Sequence, residues 1–282
     1  MKPLVKFAAW LDRKTFFSCR LWEFNLHNLT RLFPWYYLFT ALCKHPRKTV
    51  RGFVRYQKLV RASNKNPLYG TIAYSALLEY LATTHRNPER FLIAPGFCMK
   101  PYDEEKNQCL CPAGHFNHRC IIAEQPGILV KKRVNWPIPC NYCSIGALVR
   151  IAAGIQADFY IMTSAIDIAR DVFRPALQGH GARTGLFLLC PYSAEAFTFG
   201  LATSGIYGSL VTFCAGDCRN HAEFTSADIG IKNKQTHVDK PLWEQLIKDL
   251  QALGNGSGVG ATNNNSFSQA GHVYRFENQP NE

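Results

Sequence analysis

Cysteine is the residue type in this 282-residue chain with the most chemistry to offer, and nine of its eleven copies fall between Cys98 and Cys218. They are Cys98, Cys109, Cys111, Cys120, Cys140, Cys143, Cys190, Cys214 and Cys218. Thiolates suit zinc and iron–sulfur clusters. The two-residue gap in Cys140-Asn-Tyr-Cys143 lets neighbouring sulfurs reach one ion or one cluster. Cys109, Cys111 and Cys120, with His115 and His118 between them, are spaced for a local zinc knuckle. A redox dithiol and plain burial compete with these readings, because cysteine is also a small core residue.

Chemistry of this kind needs elements that bring distant cysteines together. Phe91-Leu-Ile-Ala94 reads as a short buried strand running through Pro95-Gly96 to Cys98. After Cys143 the pattern alternates. A helix is expected over 145–155, a strand over 158–163, and a helix from Ser164, with Asp167 in capping-box position, through Leu177. A strand over 185–189 ends at Cys190, Pro191 opens the next helix, and a strand over 210–213 ends at Cys214. Strand and helix in alternation with short links predict an α/β fold: a parallel sheet with flanking helices, Rossmann-like and three-layered. Cys98, Cys190 and Cys214 would then leave strands at one carboxyl edge, where α/β proteins place ligands. Cys143 and Cys190 would stand at helix N-termini, which favour thiolate. Residues 99–139 lack periodicity, and a metal is one way to order such a loop.

Three regions are expected: a helical, basic and aromatic-rich segment over 1–65, the cysteine-rich α/β domain over 66–253, with a first helix from Pro67 to Thr84, and a Gly/Asn/Ser-rich flexible tail over 254–282. The net charge of +12 resides wholly in the first region, which holds 14 Lys/Arg against Asp12 and Glu23. Two readings of it compete: helices packed on the domain with solvated basic faces, or an amphipathic surface for an anionic membrane or acidic redox partner. No nucleic-acid motif is present, so nucleic acid is not an expected partner. Cys19 and Cys43 read as small buried hydrophobes. A hydrophobic fraction of 47% supports a substantial core. The first residues lack a secretory pattern, and the expected location is the reducing cytoplasm, peripheral to the membrane if the basic segment docks there.

The blocks Phe91-Leu-Ile-Ala-Pro-Gly-Phe-Cys98, Cys111-Pro-Ala, Cys140-Asn-Tyr-Cys143-Ser-Ile-Gly-Ala-Leu148, Cys190-Pro-Tyr192 and Cys218-Arg-Asn220 resemble, in order, those of the bacterial and archaeal family known as domain of unknown function 116. The resemblance covers roughly residues 90–230 and rests on the series of blocks. It implies a cysteine-rich, iron–sulfur-binding α/β domain with Cys98, Cys111, Cys140, Cys143, Cys190 and Cys218 as metal ligands, and it implies no reaction. The sequence departs from the family where Pro137 stands in place of a further cysteine, and Cys109, Cys120 and Cys214 are additional. The expected function is iron–sulfur binding for electron transfer or redox sensing. The alternatives are a metal-dependent enzyme with an open coordination position, its substrate unspecified, and a zinc-stabilised interaction domain.

Overall fold

Phe91 and Ile93 face one side of a strand and Leu92 and Ala94 the other, and the sheet is built on that alternation. In the computed structural model, which describes residues 40–63, 70–84, 90–125, 137–256 and 266–277, β1 (Phe91–Pro95) is buried along its whole length. Phe91 and Ile93 enter one hydrophobic cluster and Leu92 and Ala94 a second, as the two-residue repeat of a strand covered on both faces requires. A separate two-stranded antiparallel hairpin follows, β2 (Tyr102–Asp103) with β3 (Gln108–Cys109). Then come β4 (Asp158–Phe159), β5 (Thr184–Leu189), β6 (Tyr207–Thr212), β7 (Ser266–Ala270) and β8 (Val273–Glu277). The main sheet has the order β6-β5-β1-β4-β8-β7. β1 pairs in parallel with β4 and β5, and β5 with β6.

Helices cover both faces. Ser144–Gly154 and Lys240–Gly256 send Ile145, Leu148, Leu246 and Leu250 into the first cluster. The second receives Ala169, Val172 and Phe173, and Phe197 and Leu201 from the Pro191–Ser204 helix. The architecture is therefore the three-layer α/β fold expected. Ser164 caps its helix as predicted, accepting a hydrogen bond from the Asp167 N–H at 3.1 Å. That helix widens into a π turn over Ala169–Phe173 just before Pro175, which has no N–H to give to the carbonyl four residues back.

Three features depart from the sequence reading. The helix expected from Pro67 spans Tyr74–Thr84. Residues 64–69 lie outside the described residues, and Gly70 forms a bridge to Ser209 instead. There the Thr71 hydroxyl donates to the Ile206 carbonyl at 2.7 Å, so the edge of β6 claims a segment whose apolar spacing suits a helix. Part of the stretch expected to be a tail is ordered: β7 and β8 form an antiparallel hairpin turned at Gly271, which has φ of +65°. β8 joins β4 through Phe159 and Tyr274. Cys43 is exposed rather than buried, and Cys19 lies outside the described residues.

Most of the basic segment, residues 1–39, also lies outside them. The Pro46–Ser63 helix packs on the Pro191–Ser204 helix, with Tyr56 edge-on to Phe199 at 5.3 Å between ring centroids. Arg55 spans the contact region, its guanidinium 4.3 Å from the centre of the Tyr207 ring and 3.0 Å from the Thr71 carbonyl. No helix among the described residues is long and apolar enough to cross a membrane.

Candidate metal centre

The carboxyl edge of β1 and β5 gathers three cysteines. The connection after β1 leads towards β4 and that after β5 towards β6, so these neighbouring strands form a topological switch point, where a crevice opens. Cys98 lies in the short 3₁₀ turn Phe97–Met99 beyond β1, and Cys190 is the N-cap residue of the helix after β5. Cys218 lies past β6, its backbone N–H pointing at the Cys190 sulfur at 3.4 Å. All three are buried. Gly96 makes the approach possible, since a β-carbon there would stand 3.2 Å from the Cys98 sulfur.

The three thiols act on one another. Hydrogen bonding from Cys190 lowers the pKa of Cys98 against the opposing effect of burial, helped by Thr236 and Lys232. At Cys190 the Cys218 contact pulls down, but the bond to Cys98 and burial outweigh it and push the thiol up to about 12. Cys218 is raised by its bond to Cys190 and by burial. Lys232 stands beside the set, donating to the Gly216 carbonyl at 2.7 Å and to the Cys218 sulfur at 3.4 Å.

Cys111, Cys120, Cys140 and Cys143 form a second set, lining a small cavity with Lys100, Ile122 and Ile145. Burial pushes Cys120 and Cys140 up to about 11, and each is raised further by the charge of Cys111. Cys143 is the N-cap residue of the Ser144–Gly154 helix. Its thiol is raised by burial even though the Gly146 and Ile145 N–H groups favour its thiolate. Cys120 is not among the implied ligands, being additional to the blocks that carry the resemblance. Its loop is held by the bidentate Arg119–Glu124 pair, at 2.9 and 2.8 Å, and by its own N–H, which donates to the Tyr274 hydroxyl at 3.1 Å.

The six implied ligands therefore separate into Cys98, Cys190 and Cys218 on one side and Cys111, Cys140 and Cys143, joined by Cys120, on the other. Cys109 contacts only backbone carbonyls through its sulfur, those of Pro101 and Cys111, each at 3.9 Å. Cys214 is exposed and directs its sulfur to the His237 carbonyl at 3.5 Å. The local zinc knuckle is not assembled. His115 packs against Phe97 and Tyr102, and His118 turns away to bond the Ile161 carbonyl through Nδ1 at 2.7 Å.

The donor chemistry suits metal. The thiols of Cys120, Cys140, Cys143, Cys190 and Cys218 are raised in pKa, and a cation reverses that preference by supplying the missing charge. Lys100 adds a fixed positive group. It is 1% exposed, and its ammonium donates to the Gly114 carbonyl and to both oxygens of Asn117 at 2.7–3.0 Å. Among the described residues, one His/Cys/Asp/Glu trio has ligand atoms all within 4.8 Å, namely His118, Asp171 and His272. Arg170 already fills it, bonding Asp171 at 2.8 and 3.0 Å and meeting the His272 ring at 2.9 Å. This network, with the His118 and His272 rings stacked 4.0 Å apart, fastens the β7–β8 turn to the domain.

Compared with known families, curated proteins and solved structures, the chain has no match among the family models, the curated proteins or the solved structures.

Proposed function

We propose that the chain is an iron–sulfur protein in which Cys111, Cys120, Cys140 and Cys143 hold a cluster for electron transfer or redox sensing. The carrying observation is the convergence of these four thiols on one small cavity from three separate segments. Their spacing favours a cluster over one zinc ion. A tetrahedral zinc with bonds of about 2.3 Å draws its thiolates to about 3.8 Å from one another. No three cysteine sulfurs among the described residues lie mutually within 4.8 Å. A cluster, with more than one iron to ligate, would accept the wider set.

When bound, such a cluster supplies one-electron chemistry at the potential its surroundings set. The protein's own contribution is legible. Lys100 offsets negative charge, Ile122 and Ile145 exclude water, and Tyr274 anchors the Cys120 backbone. The basic segment over 1–65 serves as the docking region for an acidic redox partner or an anionic membrane. Val50 and Val54 on the Pro46–Ser63 helix are 59% and 49% exposed beside Arg47 and Arg51 and extend that surface.

Anaerobic purification and reconstitution followed by an absorption spectrum and iron, sulfide and zinc analysis is the test. Iron and sulfide in comparable amounts with broad visible absorption are expected. A colourless, iron-free protein would sink the reading, and zinc alone would transfer the site to a structural role. Flotation with anionic vesicles at low salt checks the docking region.

A further inference from the structure

A cavity of about 110 Å³ opens at the switch point, and Cys98, Cys190 and Cys218 line it together with Lys232. Six phenylalanines, Phe97, Phe173, Phe197, Phe199, Phe213 and Phe224, also line it. Apolar cavities of about 150 Å³ hold benzene, so this one is on the scale of a single ring or a short alkyl chain. Crevices at this edge of an α/β sheet are where such proteins take small ligands.

We propose that Cys98, Cys190 and Cys218 form a second centre with three protein thiolates, whose remaining coordination position receives a small aryl or alkyl carboxylate seated in the phenylalanine-lined cavity and paired with Lys232. The inference rests on the iron–sulfur reading above. Three observations carry it. First, among the described residues no fourth cysteine joins this set, because Cys214 is exposed and its sulfur is bonded to the His237 carbonyl. A centre held by three protein thiolates keeps a coordination position for an outside ligand, whereas four thiolates close it. Second, the Lys232 ammonium has three N–H donors, and among the described residues two are engaged, on Gly216 and Cys218. The third can meet an anion in the cavity beside Cys218. Third, the other charged group in the wall, Asp228, is turned to a structural task, its Oδ1 accepting the Ala165 N–H at 2.7 Å at a helix start. The cavity thus has one cationic end beside the thiols and an aromatic body, which fits a carboxylate on an apolar frame.

Phenylacetate is a suitable probe for the full-length, anaerobically reconstituted protein. Cys143→Ser disables the four-thiol set and Cys190→Ser the three-thiol set, with Cys111→Ser replacing the former if circular dichroism shows it unfolded and Cys98→Ser the latter. Each variant should keep about half of the wild-type iron. The Mössbauer spectrum of the Cys143→Ser protein should change on adding phenylacetate, and that of Cys190→Ser should not. By calorimetry, Lys232→Gln should weaken phenylacetate binding by about tenfold or more with iron content unchanged, and Lys232→Arg should recover part of the loss. The proposal is overturned if Cys190→Ser retains all the iron, if phenylacetate leaves the Cys143→Ser spectrum unaltered, or if Lys232→Gln binds as tightly as wild type. A wild-type protein that takes up no iron defeats the iron–sulfur reading itself, and the second centre falls with it.

Discussion

Lys100 owes its place to the four thiols beside it and to three oxygens. Burial lowers its pKa, and the charges of Cys111, Cys120, Cys109 and Cys143 act in the opposite direction. Lys100→Met keeps the length of the side chain but takes the ammonium from the Gly114 and Asn117 carbonyls, at a cost of about 1–3 kcal/mol for each buried group left unpaired, while Asn117 Oδ1 keeps the Arg119 N–H. It also removes a positive charge from the four-thiol set. The reduction midpoint of that centre should move to a more negative value in a spectroelectrochemical titration, and thermal stability should fall. His115 offers a pH test. Burial, with Lys100 and Lys232 adding to it, lowers its pKa from 6.5 to about 4. The unfolded chain therefore takes up a proton first as pH falls. The stability contribution from the neutral ring is complete above pH 6.5 and is lost as pH drops towards about 4. Denaturant titrations at several pH values should show this loss in wild type and a shallower one in His115→Phe.

At the scale of elements, the helix contact at Gly52 is a site where propensity and packing disagree. Gly→Ala inside a helix ordinarily stabilises by about 1 kcal/mol. At Gly52 the added carbon would meet the backbone of Ala202 and Thr203, the latter's Cα at 2.5 Å. Gly52→Ala should instead lower the denaturation midpoint, with overpacking costing about 1–3 kcal/mol. The β7–β8 hairpin offers a second test. Tyr274 is 1% exposed, and its hydroxyl accepts from the Cys120 N–H and donates to Glu124 at 3.1 Å. Tyr274→Phe should cost about 1–3 kcal/mol by leaving the buried Cys120 N–H without its partner, and should reduce iron retention in the four-thiol set. These elements were unequally legible. The strands and helices from Cys143 to Thr212 announce themselves by apolar spacing, Pro191 and the Ser164 cap, and the structure has them with boundaries moved by a few residues. The hairpin was hidden because its pattern of Phe267, Tyr274 and Phe276 is short and lies beside a Gly/Asn-rich run. Its partner β4 is only two residues long, so its pairing is decided by tertiary contact.

Across the whole molecule, the sequence places cysteines at strand ends and in a CxxC but does not show which belong together. Cys98 and Cys111 are close in the chain yet join different sets, because β1 fixes the first at the sheet edge while the loop after Lys100 carries the second towards the CxxC. Cys120 enters its set through a contact with Tyr274, 154 residues away in the chain, and no spacing rule records that. If metal ties these segments together, stability should depend on it. Binding to the folded chain alone stabilises it by mass action. Removal of metal by a chelator under reducing conditions should lower the melting temperature, with proteolysis beginning within residues 100–125. The hairpin also bears on the order of events during synthesis. Tyr274 is made long after the CxxC, and the N-terminal parts of a chain emerge and fold first. Until Tyr274 has emerged and β8 has paired with β4, Cys120 lacks its anchor, so a cluster of the kind proposed would be loaded at the end of translation.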